Sequence, residues 1–100
     1  MICQPPRREQ ERYRQLRRIF HLAEILRRYR WGCQTVYLNQ ELAEETGQPC
    51  HPRTTYRDLQ FMESCGWIEV IGRGQERRWK WIDRKPLPPE PLPPEPLRVG

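Results

Sequence analysis

Lysine is almost missing from this chain of 100 residues: Lys80 and Lys85 are the only two among 18 basic side chains, and the others are arginine. An arginine carries a permanent charge on a planar fork of donors, which suits bidentate contact with phosphates or base edges better than solubility alone requires. Long apolar runs are missing too. No stretch approaches the roughly 20 apolar residues of a membrane span. The opening MICQPPRREQ has no apolar core of a secretory signal, so a cytoplasmic location is expected. Close cysteine pairs are absent. Cys3, Cys33, Cys50 and Cys65 are irregularly spaced, which argues against a disulfide framework. A metal site from Cys33, Cys50, His51 and Cys65 fits no zinc spacing, and buried or idle thiols are the simpler expectation. His21 and His51 have no Ser, Cys or carboxylate partner at motif spacing, and Cys50 beside His51 is only a neighbour in sequence. There is no glycine-rich phosphate loop and no paired-carboxylate signature, so no enzyme activity, cofactor or metal is expected.

What is present is positive charge, unevenly placed. Thirteen acidic residues leave a net charge of +5, which makes a polyanion the leading partner. Residues 1–30 hold nine arginines against three glutamates, and residues 67–85 hold six basic groups against three acids. Between them, residues 31–66 carry five acids and only Arg53 and Arg57. A chain of this length holds one hydrophobic core. The expected division is an N-terminal arm over 1–8, one domain over 9–84 and a tail over 85–100.

Periodicity and punctuation predict the elements. Over residues 9–30, Leu16, Ile19, Phe20, Ala23 and Leu26 form an apolar helical stripe, widened by Leu22, Ile25 and Tyr29. That face reads as a broad core contact or as a dimer contact. Residues 34–38, rich in Thr, Val and Tyr, read as a brief strand after Gly32, with Asn39 as the cap of a two-turn helix over 40–46 that Gly47 ends. Pro52 suits the first position of the next helix, expected over 52–65. Its Thr55, Leu59 and Met62 share one face, while Arg53, Thr54, Arg57 and Gln60 project from another. An apolar back and a front of Arg, Thr and Gln suit a helix lying in the major groove. Residues 67–71 and 76–82 then alternate as two strands around the turn Gly72-Arg-Gly-Gln75, giving a hairpin with Arg73, Arg77, Arg78 and Lys80 near its tip. Trp79 and Trp81 share a face, as core or dimer packing. The tail repeats the unit PLPPE and is expected to be an extended, disordered polyproline segment, as a spacer or as a ligand for a partner's aromatic groove.

The expected fold class is therefore α+β and mostly helical: three helices, a short strand and a C-terminal β-hairpin, the order of a winged helix-turn-helix domain. At Arg53-Thr-Thr-Tyr-Arg-Asp-Leu59, preceded by Glu41-Leu-Ala-Glu-Glu-Thr-Gly47, the sequence resembles the DNA-binding domain of DeoR-type and WYL-type bacterial transcription regulators. Glu63-Ser-Cys-Gly-Trp67 resembles that family's exit into its wing. The resemblance covers roughly residues 38–72. It implies that Arg53, Thr54, Tyr56 and Arg57 meet DNA, in agreement with the face that periodicity selects. Two departures stand out: Thr55 replaces a larger aliphatic residue, and the turn Gln48-Pro-Cys-His-Pro52 is about two residues longer than the family's.

Asp58 is expected to hold local arginines or backbone donors, because a free carboxylate near phosphates is repelled. His51 is expected to cap the helix and to serve as a phosphate or backbone partner. Arg73, Gln75, Arg77 and Arg78 are expected to contact backbone or minor groove. The expected function is sequence-specific binding of double-stranded DNA by a small transcriptional regulator, a repressor or autoregulator. A homodimer is expected, since one recognition helix reads few base pairs. Its surface is the Arg-rich first helix or else the hairpin's tryptophans. The alternatives are a protein-interaction winged helix and a nonspecific or structure-selective nucleic-acid-binding accessory factor.

Overall fold

The first helix, α1, runs over Arg7–Arg28, with Glu9 in its first turn and Arg27 and Arg28 in its last, both favourable to the helix dipole. The computed structural model describes residues 2–3, 7–82, 86–93 and 97–98. Ile19, Leu22, Ala23, Ile25 and Leu26 of α1 are buried. Leu16, expected in the same stripe, is 45% exposed. Phe20 is half-buried and does not belong to the core cluster either, so two apolar residues of the stripe stay outside it.

The second helix corrects the sequence reading. Residues 34–38 are not a strand: α2 spans Thr35–Thr46 without interruption. Thr, Val and Tyr favour a strand locally, but Leu38 and Leu42, four apart, are both fully enclosed, and packing of that stripe against α1 overrides propensity. Asn39 accordingly sits inside α2 and does not cap it. The capping position falls to Gln34, whose side chain makes no capping bond. The strand-like pairing that does occur lies one step earlier, where Cys33 and Trp79 bond each other through both their N–H groups at 2.9 Å.

The third helix, α3, spans Pro52–Ser64, as Pro52 and Gly66 predict. Two strands follow, one over Ile68–Ile71 and one over Arg78–Trp81, antiparallel with Ile68 opposite Trp81 and Val70 opposite Trp79. The second strand is shorter than residues 76–82 because Gly74–Glu76 coils into one 3-10 turn. Trp79 and Trp81 are buried with Ile68, so they belong to the core and are withdrawn as a dimer surface. One cluster therefore unites α1, α2, α3 and the hairpin, with Trp79 among its largest members. Each fully buried Leu or Ile in it contributes about 1.5–3 kcal/mol.

Residues Pro86–Pro93 carry no regular structure, and Leu87 packs partly buried against the core. Leu97–Arg98 pairs antiparallel with Ile2–Cys3 as a short two-stranded ladder. In the tail expected to be extended and disordered, these two places are thus packed or paired. The remainder of the arm (residues 1 and 4–6) and of the tail lies outside the described residues. Among the described residues no helix is long and apolar enough to cross a membrane.

Candidate nucleic-acid interface

Helix α3 starts where backbone chemistry requires it. His51 adopts extended backbone angles, and its Nδ1 accepts the Arg53 N–H at 3.1 Å, while its carbonyl accepts from Thr54 and Thr55. This is the expected cap, and it satisfies donors that would otherwise lack partners in the first turn. From there the faces separate. Thr55, Asp58, Leu59 and Met62 are buried, whereas Arg53, Arg57 and Gln60 are exposed and Thr54 is half-buried.

Two buried polar side chains hold the inner face. Thr55 Oγ1 donates to Asn39 Oδ1 of α2 at 2.6 Å, an interhelical hydrogen bond made from within the buried face. Asp58 Oδ2 accepts from Arg18 Nε at 2.7 Å, with a longer contact from Nη2 to Oδ1 at 3.5 Å. Asp58 thus holds an arginine, but not a local one as expected: its partner is 40 residues away on α1. Tyr56 is half-buried, and its ring meets Trp79 edge-on at 5.9 Å between centroids. Its ring serves the contact between α3 and the hairpin.

The hairpin's Arg73, Gln75, Arg77 and Arg78 are all exposed. The Gln75 carbonyl accepts from Gln34 Nε2 at 3.0 Å, and Trp79 Nε1 donates to Thr35 Oγ1 at 2.8 Å. With the Cys33 bridge, these bonds tie the hairpin to the start of α2 at its tip and its base. Arg53, Arg57, Arg73, Arg77 and Arg78 form no ion pair with a carboxylate among the described residues. Their charge is left for an external anion.

Sequence reasoning missed Arg18, Gln34 and Thr35 as the side chains that position these elements. Each acts on a residue at least 40 positions away, beyond the reach of any helical or strand period. The thiol of Cys33 is buried, and desolvation pushes its pKa above the ordinary 9.0, opposed in part by a hydrogen bond from the Gln34 backbone. Nearby, Tyr29 OH donates to Glu41 Oε1, and Arg28 pairs with Glu45 at 2.8 Å. His21, Glu24 and Glu45 bring ligand-capable atoms within 4.8 Å of one another. With Arg28 already on Glu45, this group acts as a charge contact between α1 and α2.

Comparison with protein-family models, curated protein sequences and solved structures gave no match.

Proposed function

We propose that this chain is a winged helix-turn-helix protein of the DeoR/WYL type that binds double-stranded DNA as a small transcriptional regulator, a cytoplasmic repressor or autoregulator. In this reading α3 enters the major groove with Arg53, Thr54, Arg57 and Gln60 toward the bases. Arg73, Gln75, Arg77 and Arg78 follow the backbone or the minor groove as the wing. His51 and Tyr56 stand at the border of the contact, the first as cap and phosphate neighbour, the second through its exposed edge. The observation that carries the reading is the set of five exposed arginines on α3 and the hairpin with no carboxylate partner among the described residues. Exposed arginines without a carboxylate partner favour a phosphate-rich ligand.

Two copies would read a pseudo-palindrome whose half-sites lie about 10 base pairs, or a multiple of that, apart, with the Arg-rich α1 as the dimer surface. The test is sequencing of DNA retained from a random pool at about physiological salt. Enrichment of a symmetric motif supports both readout and dimer. No enrichment refutes sequence-specific regulation, and retention with a steep salt dependence but no motif selects the accessory-factor reading. In the first case Arg53→Ala and Arg57→Ala each cost ~1–3 kcal/mol of discrimination at the base contacted.

A second reading, a winged helix that contacts another protein, draws on the exposed Trp31, Val36 and Tyr37 at the entry to α2. Pull-down of a partner that survives R53A/R57A and is lost on Tyr37→Glu favours it.

A further inference from the structure

Between α1 and the segment joining α2 to α3 lies a cavity of about 380 Å³ that DNA binding by α3 and the hairpin does not use. Helix α1 contributes Tyr13, Arg14, Arg17 and Arg18, while Leu42 and Pro49 come from α2 and the following turn. The volume falls in the range of about 300–1,000 Å³ usual for small-molecule sites, and the mix of apolar wall and convergent polar groups is also usual there.

Charge decides the class of occupant. Arg14 and Arg17 make no ion pair among the described residues. Arg18 spends Nε and Nη2 on Asp58, which leaves donors on its remaining nitrogen. With Arg18 already on Asp58, Arg14 and Arg17 are the two uncompensated guanidinium groups at the recess, and they repel one another unless an anion lies between them. A duplex carries its phosphates on a convex surface, which a recess does not follow. A small molecule enters it.

We propose that this cavity binds a small organic anion, with its phosphate or carboxylate held by Arg14 and Arg17, sharing Arg18 with Asp58, and its apolar body against Leu42 and Pro49. The occupant would touch the same guanidinium that anchors α3 from within.

The proposal does not rest on DNA binding, and its test can be run without DNA. Phenyl phosphate is titrated into the full chain while backbone amides and the Arg18 Nε–H are followed by NMR. The expected result is saturable shifts over residues 13–18 and 42–50, including Arg18 Nε–H, with none from phenol at the same concentration. R14A/R17A should weaken binding at least about tenfold, since each substitution removes a charged hydrogen-bond donor from the anion. R12A/R27A removes the same charge from exposed positions of α1, and should change binding less than about threefold because distant surface charges are screened. Should the alanine pair lose its helical circular dichroism, R14Q/R17Q takes its place.

Equal losses in the two pairs, or shifts spread over the face from Arg53 to Arg78, would overturn the proposal in favour of general charge attraction. Displacement of bound phenyl phosphate by a mixed-sequence duplex would also overturn it, because the recess would then take nucleic-acid backbone.

Discussion

Replacing Arg18 by Met, Asp58 by Asn, and both together separates the energy of one buried ion pair from that of its parts. Asp58 is 3% exposed and Arg18 25%, so the two singles are unequal. In R18M the carboxylate stays behind, enclosed by α1 and α3 with its charged partner gone. Breaking a fully buried pair in this way costs about 3–5 kcal/mol. Water reaches a quarter of Arg18, and only one of the two contacts is short, so the cost falls below that range, at about 2–3 kcal/mol. In D58N the stranded group is an arginine that can turn toward solvent, and an amide keeps the shape. About 1–1.5 kcal/mol is expected, near the net worth of an ordinary hydrogen bond. The double variant leaves no buried charge and should cost about 2 kcal/mol less than the two singles added. Urea unfolding, followed by fluorescence of the buried Trp79 and Trp81, measures all four proteins. Two results refute the reasoning: additivity within roughly 0.5 kcal/mol, or D58N costing as much as R18M.

The other predictions concern single positions. Gly72 has φ +81°, and a Cβ there would lie 2.6 Å from the Glu76 carbonyl oxygen, whereas Gly74 at φ +59° faces open space; G72A should therefore cost more than the roughly 1–2 kcal/mol of left-handed backbone that limits G74A, as thermal unfolding will show. Thr55→Val keeps the shape but leaves Asn39 Oδ1 without its partner, and should lower stability by about 1–2 kcal/mol in the same urea assay. For Cys33 the folded pKa is raised, so its contribution is fully present below the ordinary thiol value and is lost as pH rises through the folded one. The stability difference between wild type and Cys33→Ala should hence shrink above about pH 9, near the pKa of an unburied thiol, and a thiol reagent should label exposed Cys65 well before Cys33.

How far the fold was legible follows from the range of the forces involved. Helix α3 could be read because its signals are local: Pro52 at the start, Gly66 beyond the end, His51 as cap, and an apolar face at three- and four-residue spacing. The hairpin could be read for a similar reason, since alternation and paired glycines act over a few residues. The start of α2 could not. Thr35, Val36 and Tyr37 prefer a strand by themselves, and only the burial of Leu38 beneath α1, with Thr35 Oγ1 receiving the Trp79 indole, makes them helical. Leu16 failed in the opposite sense, since an apolar residue in a stripe is buried only where another element reaches it.

For the candidate interface, sequence alone determined that Arg53, Arg57 and Gln60 stand outward on α3, because a helical period of 3.6 assigns faces without reference to the rest of the chain. Tertiary structure decided what holds that face in place. Arg18 on Asp58, Asn39 on Thr55, Tyr56 on Trp79 and Gln34 on Gln75 join residues 16 to 41 positions apart. Such contacts depend on how helices and hairpin pack, and no local pattern encodes them.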